Sequence, residues 1–283
     1  MNASESQHLS PAIADALERA HKSHSEGSTN LAIEQLEAEL KKPAHASDLM
    51  QFKERVSLAV AIAEFCVAAA DREKALRTLA TEAVSAKAAF QNIKAAGTED
   101  EKRMAFRGLV QLRDFHRQIA LIGRPAPEFA VKEWIIGPPT TLADQKGKVT
   151  ILEFWATWCK PCEQMFPKLN ELHQSYGAQG LVILALTRFF LAYGQEQAQP
   201  DELALIRSFV ENHGVEFRVG VSEDEETQTT FGATGLPMIA LIDRRGIVRL
   251  ITVSTEDERF TLTLNECLNE PGQESQQNSA NRQ

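Results

Sequence analysis

Two cysteines stand two residues apart in the segment Cys159-Lys160-Pro161-Cys162, and no other residues of the chain have a spacing that predicts chemistry so directly. At this spacing the second thiol can attack a mixed disulfide formed at the first, as in thiol–disulfide exchange. The same spacing also supplies half of a tetrahedral zinc site. One motif therefore allows a redox interpretation and a metal interpretation.

The position of the motif between a strand and a helix favours the redox interpretation. Val149 to Trp155 is β-branched and aromatic, as in a buried strand, and Cys162 to Tyr176 has helical periodicity. Helix N–H groups and the helix dipole then point at the Cys159 sulfur and favour its thiolate, and Lys160 adds a positive charge. We predict that Cys159 is the nucleophile and Cys162 the resolving thiol.

The metal interpretation needs further ligands, which the sequence does not place near the motif. Cys66 and Cys267 stand alone on apolar helical faces, where a thiol acts as a small hydrophobic side chain. No histidine pair with ligand spacing adjoins a cysteine. We expect no metal, and no cofactor other than the redox-active disulfide Cys159–Cys162.

A change of composition near residue 122 predicts the elements around the motif. Residues 1–122 contain 25 of the 37 alanines but two of the 11 prolines, and apolar residues recur there every three or four positions. This pattern predicts an all-α domain, either a helical bundle or a stack like that of tetratricopeptide repeats, although their 34-residue period is absent. Such helices could also pack across a homodimer interface.

The pattern of residues 123–270 predicts an α/β domain instead. Strands and helices follow in the order β-α-β-α-β-β-α, and the last two strands flank a hairpin turn at Arg244-Arg245-Gly246. Ser222 and Glu225 are predicted to cap a short helix. Residues 271–283 contain no large apolar side chain and are predicted to be a disordered tail.

Charge and hydropathy restrict the partners and the compartment. The formal net charge is -9, and an acidic surface argues against nucleic acids as partners. No run approaches 18 consecutive apolar residues, so no transmembrane segment is expected. Met1 to Ala12 lacks the regions of a secretory signal, which predicts a cytoplasmic protein, or a periplasmic or extracytoplasmic one if a leader was trimmed.

The segment around the cysteines resembles the active-site segment of the thioredoxin superfamily, and most of all its TlpA/ResA-like redoxin branch. The resemblance rests on Phe154-Trp155-Ala156-Thr157-Trp158-Cys159-Lys160-Pro161-Cys162. Ile122 to Phe129 at the start of the domain, Gly147-Lys148-Val149 before the strand, and Pro167 in the helix support it. It covers roughly residues 122–268 and implies a thioredoxin-like fold, which is a central mixed sheet flanked by helices.

The resemblance implies a substrate-docking surface beside the cysteines. Leu236 and Pro237, directly before a predicted strand, match a cis-proline loop whose backbone pairs with an extended substrate. The alternative is an ordinary loop proline that begins an edge strand. Trp158 and Pro161 are assigned to the same surface, with Trp158 as an aromatic shield, whereas Trp155 is predicted to lie in the core.

Glu153 matches the buried acid that thioredoxins carry beneath the resolving cysteine. This match implies a raised pKa and a role as proton acceptor for Cys162. The alternative is an ion pair at a sheet edge with a lysine such as Lys148. Met165 stands where many TlpA/ResA-like proteins have glutamate, which argues against functions specific to that glutamate, such as specialised cytochrome maturation.

The segment Thr187 to Pro200 is longer than the usual strand-to-helix loop and carries Phe189, Phe190 and Tyr193. Two interpretations are open. The aromatic residues form a partner-recognition lip near the cysteines, or they pack on the helical domain.

Together these features predict a thiol–disulfide oxidoreductase that acts on protein thiols and disulfides and takes electrons from an upstream donor. The Lys-Pro dipeptide is nearer to the reducing Gly-Pro pattern than to that of strong oxidants, which favours a reductase. A peroxiredoxin is a second interpretation, but it needs a threonine where this chain has Ala156. A third is an interaction module in which the helical domain binds a partner and the redox fold is a platform.

Overall fold

A computed structural model describes residues 9–43, 48–191, 196–222 and 224–270. The chain divides into two compact units, Met1–Ala120 and Leu121–Gln283. The predicted disordered tail, residues 271–283, lies outside the described residues. Among the helices that the model describes, none is long and apolar enough to cross a membrane.

The first unit is helical. Its described helices α1 to α5 span Pro11–Ser25, Thr29–Leu40, Leu49–Ala68, Arg72–Ala96 and Glu99–Leu121. The pairs α1 and α2, α2 and α3, and α3 and α4 pack on each other. Every side chain from Leu58 to Ala63 is buried, so α3 lies at the centre of the core of this unit. Gly108 of α5 allows a close approach, because a Cβ there would lie 2.6 Å from the Phe52 ring.

Side-chain caps fix the start of three of these helices. The Asp48 carboxylate accepts hydrogen bonds from the N–H groups of Met50 and Gln51 at the start of α3, and Asp71 caps α4 through the Lys74 N–H. Before α5, Thr98 and Glu101 each accept a hydrogen bond from the backbone N–H of the other. Such reciprocal capping satisfies N–H groups that the helix itself leaves unpaired.

The second unit is an α/β fold around a six-stranded sheet. Its strands β1 to β6 span Glu133–Ile136, Val149–Phe154, Leu181–Arg188, Arg218–Ser222, Met238–Ile242 and Val248–Thr252. Its helices α6 to α9 span Lys160–Tyr176, Gln199–Asn212, Glu226–Phe231 and Glu258–Asn269. The strand order is β1-β4-β3-β2-β5-β6, with β2, β3 and β4 parallel and the other pairings antiparallel. This mixed sheet with flanking helices confirms the predicted fold class.

Two strands of this sheet, β1 and β4, are absent from the predicted order of elements. The predicted helix cap at Ser222 is wrong for the same reason, because Ser222 ends β4 and its hydroxyl donates to the Ala130 carbonyl. Helix α8 begins at Glu226 instead. The hairpin at Arg244-Arg245-Gly246 is confirmed, and the buried Asp243 carboxylate accepts N–H bonds within it.

Alternation along β2 decides which side chains lie on the cysteine-bearing side of the sheet. Ile151 and Trp155 belong to the same apolar cluster as Cys162 and Phe166 of α6. Leu152 and Phe154 belong to a separate cluster on the other face. Since successive strand residues point to opposite faces, Glu153 shares the α6 face with Ile151 and Trp155.

Candidate active site

Cys159 and Cys162 form a disulfide at the start of α6, with their Cα atoms 5.3 Å apart. Cys159 is the N-cap residue of this helix, and its sulfur accepts a hydrogen bond of 3.3 Å from the Cys162 N–H. Cys159 is 4% exposed and Cys162 is fully buried. A backbone donor and the helix dipole at the first sulfur favour its thiolate once the pair is reduced.

Glu153 is a buried carboxyl without a partner. Both of its oxygens lack a hydrogen-bond partner among the residues that the model describes, and its exposed fraction is 0%. Burial raises the pKa of Glu153 to about 8, because the apolar surroundings disfavour the charged form. The alternative of an ion pair with Lys148 at a sheet edge is wrong, because β2 lies between β3 and β5.

The peptide bond between Leu236 and Pro237 is cis, as the resemblance implied. It directly precedes β5, where Met238 pairs with Phe154 at the end of β2. The alternative of an edge strand is wrong, because β5 lies between β2 and β6. The cis-proline loop enters β5 where the loop to the cysteines leaves β2. Because these two strands are antiparallel neighbours, both loops lie at the same end of the strands.

The family of the chain follows from comparison with known proteins. The model of the AhpC/TSA family matches residues 122–251. Thiol-disulfide oxidoreductase ResA of Bacillus anthracis is 37% identical over 127 residues, which are 45% of this chain and 66% of the relative. The ResA of Geobacillus thermodenitrificans is 33% identical over 134 residues, which are 47% of this chain and 70% of the relative. The chain belongs to the ResA-like thiol-disulfide oxidoreductases of the thioredoxin superfamily.

A solved thiol-disulfide isomerase from Corynebacterium glutamicum aligns with a TM-score of 0.44 and 24% identity, over 52% of this chain and 98% of that chain. This chain spans 66% of the length of the ResA proteins of Bacillus thuringiensis and Bacillus anthracis.

Lys160 of this ResA-like chain is exposed, and its charge is paired. Its ammonium lies 2.6 Å from a carboxylate oxygen of Glu163, one turn into α6. The same oxygen lies 3.3 Å from Nε2 of His213, whose Nδ1 is 2.7 Å from the Phe209 carbonyl oxygen. The hydrogen bond from Lys160 holds the pKa of Glu163 below its ordinary value. The Lys160 ammonium, which was predicted to favour the Cys159 thiolate, therefore forms an ion pair with the Glu163 carboxylate.

The tryptophans next to the ResA-like motif have different surroundings. Trp155 is fully buried and packs on the rings of Phe166 and Phe209, which confirms the prediction that it lies in the core. Trp158 is 59% exposed and meets the Phe190 ring edge-on at a centroid distance of 5.3 Å. Pro161 is exposed at the second position of α6, where a missing N–H leaves no helical bond unmade.

The segment 187–200 divides its aromatic residues between the core and the site. Phe189 is buried in the apolar cluster that contains the cysteines, whereas Phe190 contacts Trp158. Tyr193 lies outside the described residues. Two further residues at this loop were missed by the sequence analysis: Arg188, which stacks on Phe190, and Glu202, which binds its backbone.

The remaining cysteines have surroundings unlike those of the pair. Cys66 of α3 and Cys267 of α9 are buried free thiols, as predicted, and burial raises the pKa of each to about 11. Among the described residues, no group of three or more His, Cys, Asp or Glu side chains could hold a metal ion.

Proposed function

We propose that this chain is a thiol–disulfide oxidoreductase that reduces disulfides of protein substrates through Cys159 and Cys162. The observation that carries the proposal is the asymmetry of the pair. Cys159 caps the N-terminus of α6 and keeps 4% of its surface exposed, whereas Cys162 is fully buried. A substrate therefore reaches Cys159 first, and the resolving step takes place inside the protein.

The first step forms a mixed disulfide. In the reduced protein the Cys159 thiolate attacks one sulfur of the substrate disulfide. A bond forms between this sulfur and Cys159 Sγ while the substrate S–S bond breaks. The other substrate sulfur leaves as a thiolate and takes a proton from solvent.

The second step releases the product. The Cys162 thiol gives its proton to the Glu153 carboxylate, and its sulfur attacks Cys159 Sγ. The mixed disulfide breaks, the second substrate sulfur leaves and is protonated, and the Cys159–Cys162 disulfide remains. Two electrons have then passed to the substrate, so an upstream dithiol donor must return two electrons and two protons.

Glu153 suits this proton transfer because its pKa of about 8 is close to that of a thiol. An ordinary carboxylate with a pKa near 4 would be a much weaker base. The shared sheet face directs the Glu153 side chain toward the layer in which Cys162 is buried.

The substrate chain is proposed to lie across the exposed side of the pair. Leu236 and Pro237 offer backbone for an extended segment, because proline has no N–H that would pair elsewhere. Trp158 and Pro161 supply the exposed apolar surface next to Cys159. Lys160 is part of this surface through its ion pair with Glu163.

The pairing of Lys160 supports the reducing direction. Strong oxidants in this superfamily hold a highly stabilised thiolate, which makes the dithiol form the favoured one. Here the Glu163 carboxylate accepts a hydrogen bond from the Lys160 ammonium and offsets its charge. Lys160 therefore stabilises the Cys159 thiolate less than an unpaired lysine would.

The reduction potential of the pair is the measurement that tests this proposal. The full chain is equilibrated in graded dithiothreitol or glutathione buffers, and thiol trapping reports the fraction of dithiol. Cys159→Ser and Cys162→Ser variants are the controls. We expect a two-electron transition near the value of about -270 mV for thioredoxin, together with reduction of insulin disulfides.

Other outcomes contradict the proposal at different points. A potential near the roughly -120 mV of strong oxidants would reverse the direction and make the chain a disulfide donor. A pair that does not cycle, with zinc bound instead, would overturn the redox function and favour an interaction module.

A further inference from the structure

The aromatic contact beside Cys159 is built from two distant parts of the second unit. Trp158 comes directly before the nucleophile, and Phe190 comes from the loop after β3. Their rings meet at an interplanar angle of 84°, a favourable edge-to-face arrangement. We name these two side chains the aromatic ridge.

Phe190 also contacts Arg188. The Arg188 guanidinium carbon lies 4.2 Å from the centre of the Phe190 ring, which is within cation–π distance. The Arg188 Nε donates a hydrogen bond of 3.0 Å to the side chain of Gln228, which is 3% exposed. The planar group is therefore held in one orientation, and the Phe190 ring contacts both Arg188 and Trp158.

The backbone of the ridge is fixed by Glu202. This carboxylate is 6% exposed in the first turn of α7, and it accepts hydrogen bonds from the N–H groups of Phe190 at 2.8 Å and Leu191 at 3.1 Å. Bonds from N–H groups to a carboxylate are strong, because the acceptor is charged. The position of Phe190 is thus determined by three groups that lie on β3, α7 and the cysteine loop.

We infer that Phe190 is a specificity-determining residue for protein substrates, and that Arg188 and Glu202 are its positioning residues. The inference rests on the proposed function. The ridge adjoins Cys159 in the chain through Trp158, and 59% of the Trp158 side chain stays exposed despite the contact with Phe190. The ligand is a segment of a disulfide-bonded polypeptide with an apolar side chain close to its cysteine, which packs on the ridge while the cysteine reacts.

The groups that position Phe190 are different from those that react. Phe190 packs against the apolar cluster that includes the cysteines, but its positioning contacts are with Trp158, Arg188 and Glu202, which take no part in the proposed transfer of electrons and protons. A small disulfide without an extended chain has no apolar side chain to place on the ridge. Loss of Phe190 should therefore affect large and small substrates differently.

The test compares a protein disulfide with a small one. The full-length chain and its Phe190→Ala variant reduce insulin with dithiothreitol as the electron source, and the pre-reduced proteins, freed of dithiothreitol, reduce 5,5′-dithiobis(2-nitrobenzoic acid) in a single turnover. We expect the KM for insulin to rise about 5–10-fold in the variant at nearly unchanged kcat, whereas the second-order rate constant for the small disulfide falls less than 2-fold. Leu262→Ala, which truncates an exposed apolar side chain of α9, is the matched control and should alter neither value.

The positioning residues are tested by graded substitution. Glu202→Ala leaves two N–H groups without an acceptor and should match Phe190→Ala, whereas Glu202→Gln keeps one acceptor oxygen and should restore part of the affinity. Trp158→Ala combined with Phe190→Ala should lose less than the sum of the single losses, because the two side chains act as one surface.

Each contrary outcome has a distinct meaning. An equal loss for both disulfides would place Phe190 in the chemical step and overturn the inference, as would an unchanged KM for insulin or strictly additive losses in the double variant. If the unmodified chain itself fails to reduce insulin, the proposed function fails, and the inference fails with it.

Discussion

At the scale of single residues, the site is determined by which charges lie near the Cys159 sulfur. The sequence places Lys160 beside the nucleophile, and the structure adds Glu163 on the same turn of α6 and His213 at the end of α7. A carboxylate disfavours a nearby thiolate, and it also holds the lysine ammonium by a hydrogen bond. We therefore expect Glu163 to restrain the reactivity of Cys159.

Replacement of Glu163 by glutamine should lower the pKa of the Cys159 thiol. The substitution removes a negative charge and releases Lys160, so the thiolate gains stability. We expect the alkylation of reduced protein by iodoacetamide at pH 6 to be about 3–10-fold faster, with the reduction potential raised by about 15–30 mV at about 30 mV per tenfold change. Lys160→Ala is the matched control and should shift both quantities in the opposite direction. An unchanged alkylation rate in Glu163→Gln would show that the pair does not act on the sulfur.

Glu153 should make the folded protein less stable as the pH rises. Its pKa is about 8 in the folded state and near the ordinary 4.5 when unfolded. Below pH 4.5 Glu153 is protonated in both the folded and the unfolded state. Between pH 4.5 and about 8 only the folded state holds the proton, so the free energy of unfolding falls as the pH rises and reaches its lower limit above pH 8. At about 1.4 kcal/mol per pKa unit, the loss is at most several kcal/mol.

The Glu153→Gln variant tests this dependence. Urea unfolding of the oxidised protein should give similar free energies for the variant and the parent near pH 4.5, and a more stable variant at pH 8.5. The variant should also resolve mixed disulfides about 100-fold more slowly, since it has lost its general base. A parallel pH dependence of both proteins would assign an ordinary pKa to Glu153.

At the scale of elements, the sequence predicts the strands that follow a simple pattern and misses those that do not. β2 and β3 are rich in β-branched and other apolar residues, and the sequence predicts both. β4 contains Gly220, which indicates a turn by sequence alone. Glycine stands at position 220 because of packing: a Cβ there would lie 3.0 Å from the Val131 side chain and 3.1 Å from the Leu186 side chain. No local pattern reveals a neighbour that is 89 residues away in the chain.

A methyl group at Gly220 should therefore destabilise the second unit. We expect Gly220→Ala to lower the free energy of unfolding by about 1–3 kcal/mol, as overpacking does in a dense core. Gly177→Ala is the control, since Gly177 has helical backbone angles and open space around its Cα, and it should be neutral or stabilising by about 0.4–1 kcal/mol. Equal effects of the two substitutions in urea unfolding would contradict this account of β4.

The candidate site shows the same division between local and long-range signals. Cys159, Cys162, Trp158 and Pro237 belong to short motifs, which a sequence displays directly. Glu202 and Arg188 contribute through contacts with Phe190, and nothing in their own neighbourhoods indicates such a role. A carboxylate in the first turn of a helix is common for reasons of the helix dipole alone.

At the scale of the whole molecule, most of the net negative charge and the cysteine pair lie in the second unit. Residues 123–283 contain 14 basic and 22 acidic residues, whereas residues 1–122 contain 16 and 17. The contacts described above for the cysteine pair and the aromatic ridge join residues of the second unit. We therefore propose that the chain on either side of the predicted boundary near residue 122 forms a separable domain.

A protein consisting of residues 121–270 should fold and keep the chemistry of the pair. We expect its reduction potential to lie within about 10 mV of that of the full chain, which is less than a threefold change in the equilibrium constant. Reduction of the small disulfide should also be retained. A shift of more than 30 mV, or loss of the folded state by circular dichroism, would show that the helical unit is needed for the site itself.

The buried thiols of Cys66 and Cys267 have a consequence for thiol–disulfide exchange in this protein. With a pKa of about 11, the sulfurs of Cys66 and Cys267 remain almost entirely uncharged at neutral pH and are enclosed by apolar side chains. A mixed disulfide at Cys159 therefore has one internal thiol with which to rearrange, and scrambled isomers have no route to form in the folded state. Under the proposed function, each molecule exchanges one electron pair through Cys159 and Cys162, and the sulfurs of Cys66 and Cys267 take no part in the cycle.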